Sequence, residues 1–154
     1  MARSYRDIRA WQAARAFKRG IYKLVSQPPL SLDEQLSIQL REAAASSQSN
    51  IAEGFGRFDP ADFARLVKVA KASIIECENH LEDAVDRGEL TDQARREHED
   101  RAQEALREIG GLLDYLQSPE AKRNAERLRQ ARFERRRRRV SSPPPEPGTT
   151  NKEP

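Results

Sequence analysis

From Phe63 to Ala84, apolar side chains recur at alternating steps of four and three: Phe63, Val67, Ala70, Ile74, Cys77, Leu81 and Ala84. A half-buried strand would alternate every second residue; this spacing instead returns to one face of a helix. The seam is about three heptads long and must be covered along its whole length, so further helices have to lie against it. Its boundaries are also legible. Asp59 is an N-cap, Pro60 suits the first helical position, Asp62 sets a negative charge near the positive end of the helix dipole, and Gly88 is a stop. The predicted helix runs from Pro60 to Arg87.

Three more segments share the helical period. The first is expected from Asp7 to Val25, with Trp11, Ala14, Phe17, Ile21 and Leu24 on one face, a Ser4/Asp7 capping box just upstream, and Pro28-Pro29 as its end. The second is expected from Leu32 or Asp33 to Gly54. Ser31 serves as its N-cap and Glu34 completes a capping box; Leu36, Leu40, Ala43, Ser47 and Asn50 form its seam, and Gly54 is a left-handed stop. The fourth is expected from Thr91, its N-cap, to Gln117, with Ala102, Leu106, Ile109, Leu113 and Leu116 as its stripe. Gly110 and Gly111 weaken it, by roughly 1 kcal/mol each against alanine. Short connections between long helices force antiparallel neighbours, so the expected fold is all-α: an antiparallel up-down-up-down four-helix bundle over residues 1–118. Few aromatics and sparse glycine argue against an all-β alternative, which needs turn glycines and β-branched runs.

Charge divides the chain differently. Residues 1–118 carry 17 basic and 20 acidic side chains, a net −3, whereas residues 119–140 carry 10 basic and 3 acidic, a net +7. The basic pI therefore belongs to the second segment. Ser118-Pro119 reads as a fresh cap and first turn, and 119–140 as a basic, solvated helical extension; 141–154 (SSPPPEPGTTNKEP) has the composition of a disordered tail. Arg135, Arg136, Arg137, Arg138 and Arg139, with Arg127, Arg129 and Arg132 upstream, are the candidate nucleic-acid-binding residues, each able to displace a counterion from a phosphate. Phe133 is the only aromatic nearby, which leaves little base stacking. The plainer alternative is a solubilising, solvated extension.

Catalytic chemistry is hard to assemble from these residues. With one cysteine there is no internal disulfide and no paired-cysteine metal site; Cys77 and His80 are three apart beside Glu76, but Cys77 sits in the apolar seam, where it acts as a small hydrophobe. Two histidines, His80 and His98, support neither a Ser/His/Asp set nor the Glu-x-x-His pairs of di-iron bundles. The expectation is a non-enzyme with no cofactor and no metal. No apolar stretch approaches membrane-spanning length and the opening MARSYRDIRAW lacks the apolar core of a signal peptide, so a cytoplasmic protein with no membrane partner is expected.

The turn from Ser47 to Arg57 is the most informative polar segment. Asn50 falls on the expected seam, where a buried amide needs partners and can fix register. Glu53 and Arg57 flank Gly54-Phe55-Gly56 and are expected to tie the turn to neighbouring helices. These five residues (Asn50, Glu53, Gly54, Gly56, Arg57) are read as structural, the alternative being a ligand or partner site. A phosphate loop is excluded: the glycines follow a helix C-terminus, where the dipole is negative, and no strand precedes them. The small-residue run Ala43-Ala44-Ala45-Ser46-Ser47 permits close helix approach, and Ile38, Ile51, Val69 and Ile75 lie off the seams as a second apolar face, which favours oligomerisation.

Trp11-Gln12 with Ile21-Tyr22-x-Leu24, Gln39-Leu40-Arg41-x-Ala43-Ala44 leading into Ser49-Asn50-Ile51-Ala52-Glu53-Gly54 and Gly56-Arg57, then Phe63-x-x-x-Val67 and Ala70-x-x-Ser73-x-x-Glu76-x-Glu78, together resemble the bacterial 23S rRNA intervening-sequence proteins. The resemblance spans roughly residues 5–118 and stops before the arginines. It implies a short helical bundle, a ring-like homopentamer and a nucleic-acid-associated accessory role without catalysis. A related branch, the accessory variability proteins of diversity-generating retroelements, binds nucleic acid and a reverse transcriptase through a basic ring surface. Ala72 stands where the family usually has glycine and Cys77 where it usually has leucine, both compatible with packing. The bundle's net −3 is unlike the retroelement branch, so attraction for RNA or DNA would fall to the arginines. The expected function is a homo-oligomeric accessory protein of nucleic acid or ribonucleoprotein; the alternative is a protein-interaction scaffold with no nucleic-acid role.

Overall fold

The computed structural model describes residues 2–57 and 59–141; for Arg136 and residues 138–141 it describes the backbone alone. The described chain is all-α. A 3-10 turn, Tyr5–Asp7, leads into α1 (Arg9–Leu24); a second, Leu30–Leu32, leads into α2 (Glu34–Gly56); α3 (Pro60–Asp86), α4 (Asp92–Gln117) and α5 (Pro119–Ser141) follow. Residues 142–154, most of the expected disordered tail, lie outside the described residues.

Local chemistry sets the boundaries. The Ser4/Asp7 capping box forms, but around the 3-10 turn rather than on α1 itself. α1 stops at Leu24, four residues before Pro28, whose ring would meet the Leu24 carbonyl if the helix went on. The expected Ser31 cap is not the one used. Ser31 is inside the 3-10 turn, and Asp33 caps α2, its carboxylate accepting the Leu36 amide at 2.9 Å. Asp33 also takes Arg87 at 3.1 Å, which joins the start of α2 to the end of α3. Asp59 caps α3 and Thr91 caps α4 as expected. Gly88, at φ 75°, supplies the left-handed residue after α3, and the Glu89 and Leu90 amides turn back onto the Ala84 carbonyl.

α2 lies along α3, α3 along α4, α4 along α1, and α1 along α2. The core sits between them. The whole α3 seam is buried, with Val67, Ala70, Ile74, Cys77 and Ala84 fully enclosed and facing Phe17, Ile21, Leu40 and Ile109. Ion pairs stitch the rim: Arg9 to Glu108 at 2.6 Å between α1 and α4, and Arg95 to Glu82 at 3.0 Å between α4 and α3. Cys77 donates a long contact to the Leu40 carbonyl, Sγ to O 3.7 Å, and burial, with Glu78 and Glu76 adding to it, pushes its thiol pKa up to about 12.

The α2 seam departs from expectation at its end. Buried positions run Ala43, Ser47, Ile51, Gly54, so Ile51 is fully buried and does not belong to a second apolar face. Asn50 moves to the edge of the seam. The larger apolar side chain takes the core position and the amide takes the polar margin, as their transfer energies require. Ile38, Val69 and Ile75 do remain exposed. His98 is buried, with Nδ1 2.8 Å from the Ala94 carbonyl.

Candidate nucleic-acid interface

The basic surface is a helix, and its start is well specified. The backbone of Ser118 is extended, its hydroxyl accepts the Ala121 amide at 3.2 Å, and Pro119 needs no amide partner at the first position. Ala121 is buried and Asn124 donates to the Tyr115 hydroxyl at 3.3 Å, so the first turns of α5 rest on the end of α4. Beyond Ala125 the described side chains of α5 are exposed. With arginine at 127, 129, 132, 135 and 137 distributed around the helix, α5 has no apolar stripe of its own.

One arginine ties this helix to the bundle. Arg129 pairs with the second carboxylate oxygen of Asp59, while the first oxygen accepts the Ala61 and Asp62 amides at 2.9 and 3.1 Å. A single aspartate thus caps α3 and clasps α5. The amides of the first turn of α3, with Arg129 beside them, hold the Asp59 carboxyl below the usual aspartate range. The sequence marks Asp59 as a cap but gives no sign of the clasp, because its partner lies 70 residues away. Arg127, Arg135 and Arg137 are exposed, and Arg132 also engages in an interaction. Arg136, Arg138 and Arg139 have their backbones in α5 and side chains outside the described set.

The second group of candidate residues lies at the end of α2, among contacts between α2 and α3. Asn50 donates through Nδ2 to the Ser46 carbonyl at 2.9 Å and to Ser46 Oγ at 3.1 Å; Ser46 Oγ is 2.8 Å from Ser73 Oγ, which donates to the Val69 carbonyl at 3.0 Å. This chain of polar groups crosses from α2 to α3 and satisfies the amide. Gly54 is not a left-handed stop. It lies inside α2, and a Cβ there would stand 2.2 Å from Phe63 Cδ2. The glycine is what lets the Phe63 ring close the α2–α3 corner, where Phe55 meets it edge-on at 6.5 Å. Gly56 ends the helix with open space about it, and Arg57, the C-cap, has an ordinary right-handed backbone. Arg57 pairs with Glu53 one turn earlier on the same exposed surface, and that hydrogen bond holds its guanidinium charged. Glu53 and Arg57 therefore bridge within α2 rather than to a neighbouring helix. A single residue separates Arg57 from Asp59, so the two groups lie at the same end of the molecule.

Residues 6–111 match the family model described as 23S rRNA-intervening sequence protein. The chain belongs to that family. No curated protein matches it. The family match ends within α4, so Leu112–Gln117 and the whole of α5 lie beyond it. In this 23S rRNA-intervening sequence protein, the Asn50–Arg57 segment falls inside the matched region and the arginines fall outside. Among the described residues no helix is long and apolar enough to cross a membrane, and no three His, Cys, Asp or Glu side chains converge as a metal site would require.

Proposed function

We propose that this protein is a non-enzymatic, homo-oligomeric accessory protein of RNA, DNA or a ribonucleoprotein, in which residues 1–118 form an antiparallel up-down-up-down four-helix bundle and the basic helix 119–140 supplies the nucleic-acid contact. The reading rests on one observation above the others: a net +7 is gathered on a helix that contributes almost nothing to the core. A helix of that composition is not stabilised by burial, and its charge suits a polyanion. The family description, 23S rRNA-intervening sequence protein, is consistent with RNA. Exposed Ile38, Val69 and Ile75 on α2 and α3 favour association of several copies, and a ring of about five is the assembly expected of the family. A nucleic-acid enzyme such as a reverse transcriptase is a suitable protein partner for such a ring, and the cytoplasm a suitable compartment.

The test is RNA binding by the full chain against a variant with Arg127, Arg135, Arg136, Arg137, Arg138 and Arg139 changed to glutamine. If about five arginines each engage a phosphate, affinity falls roughly a hundredfold between about 50 and 200 mM salt, and the variant loses most of the binding and most of the slope. Equal binding by the variant would move the interface to the bundle. No binding by either protein at low salt would leave the scaffold reading, which the exposed isoleucines favour. Light scattering should give several times 17.6 kDa.

A further inference from the structure

Phe133 is the one aromatic side chain on α5, and it is 64% exposed. It lies one turn beyond Arg129, the last of the residues, with Ala121 and Asn124, that seat the helix. Among the described residues, the ring has no core contact, and its one ring contact is with Arg137 on its own helix. Two of its neighbours on the helix surface are arginines, Arg129 one turn before it and Arg137 one turn after it, each about 5–6 Å along the axis. The Arg137 guanidinium carbon is 6.0 Å from the Phe133 centroid. Arg129 is held by Asp59, so the ring sits one turn beyond an anchored residue.

An apolar ring set between two arginines is ill-suited to a polyphosphate backbone alone. Phosphates contact the cations and ignore the phenyl face. A base supplies the missing complement, since it stacks on an aromatic face while its own phosphate meets the neighbouring Arg137. In a duplex the base faces are covered by their neighbours in the stack, and the ring has nothing to contact without unstacking them. We infer that α5 binds unpaired, single-stranded nucleic acid in preference to duplex, with Phe133 as the base-stacking residue and Arg137 beside it; this rests on the reading of α5 as the nucleic-acid surface.

The experiment uses the full-length protein and three variants, Phe133→Ala, Phe133→Trp and Arg137→Gln. Each is titrated against a short fluorescein-labelled single-stranded RNA and against its perfectly paired duplex of equal length, at several salt concentrations. Phe133→Ala should weaken single-strand binding about tenfold and leave duplex binding within about twofold, with the salt slope unchanged because no charge is lost. Phe133→Trp should restore or exceed the original single-strand affinity. Arg137→Gln should weaken both ligands and lower the slope. Phe133→Ala acting equally on both ligands, or on neither, overturns the stacking role while leaving α5 as the binding helix. A lower mass in light scattering with unchanged RNA affinity overturns it in favour of a contact between copies. Absence of binding by the unaltered protein overturns this inference and the reading beneath it together.

Discussion

α3 and α5 begin alike and end differently. Each opens on a polar cap followed by proline, Asp59-Pro60 and Ser118-Pro119, and they are 27 and 23 residues long. α3 carries an apolar side chain at every step of its seam and is enclosed along that seam; counted from the same proline, the corresponding steps of α5 are Lys122, Glu126, Arg129, Phe133, Arg136 and Val140, and among the described side chains of α5 only Ala121 is buried. Cap chemistry therefore decides where a helix starts, and the side chains that follow decide whether it belongs to the core. Capping contributes about 1 kcal/mol, while each buried aliphatic side chain contributes roughly 1.5–3 kcal/mol. The division of labour proposed for this protein, structure in one region and binding in another, follows from that inequality.

The comparison breaks most visibly under truncation of apolar side chains. Ile74→Ala should destabilise the fold by about 2–5 kcal/mol, while Leu128→Ala on α5 should change it by less than about 0.5 kcal/mol, both measured by urea denaturation. A large effect of Leu128→Ala would mean that α5 is packed against something in solution. Glycine-to-alanine changes sharpen the contrast further, because the same substitution should have opposite signs in two helices. Gly54→Ala places a methyl against the Phe63 ring and should cost about 1–3 kcal/mol despite the better helix propensity of alanine. Gly110→Ala and Gly111→Ala meet no atom within 4 Å and should each stabilise by roughly 0.4–1 kcal/mol in the same assay. Loss of stability there would place a second copy against α4.

The smallest effect is a pH dependence at the clasp. The Asp59 carboxyl is held below its ordinary value, near 3.9, so the stability it adds is complete above that value and is lost as the pH falls through its folded value. Asp92 is lowered in the same sense, chiefly by Arg95. Thermal unfolding should be nearly flat down to about pH 5 and decline below about pH 4, and the decline should be shallower in Asp59→Asn, which keeps a capping side chain but loses the charge that holds Arg129. An unchanged acid limb would show that other carboxylates control it.

Periodicity made the four long helices legible, because Val67, Ile74 and Leu81 have no other way to be buried. Caps were legible where one candidate stood alone, as at Asp59 and Thr91, and misleading where Ser31 and Asp33 competed within three residues. The α2 seam was legible to Ser47 and then slipped: steps of four and three run equally well to Asn50 or Ile51, and only burial energy chooses. Gly54 looked like a stop because a glycine near a helix end usually is one; its true reason, the Phe63 ring, lies on another helix. The arginines were legible as charge. That one of them is clasped by Asp59, and that Phe133 faces water between two cations, depends on how α5 leaves Ser118, which no local pattern encodes.

Cys77 has one more consequence. It is the only thiol in the chain, it is fully enclosed between α2 and α3, and with a pKa of about 12 almost none of it is thiolate at neutral pH. A thiol-reactive dye can therefore mark only those molecules in which the two helices have parted. The protein carries its own stopwatch: at dye concentrations where reaction outpaces reclosing, the rate at which dye appears counts openings of the seam, one per molecule, with no engineered probe. Changes confined to α5 should leave that clock running at its original pace, whereas Gly54→Ala should make it run fast.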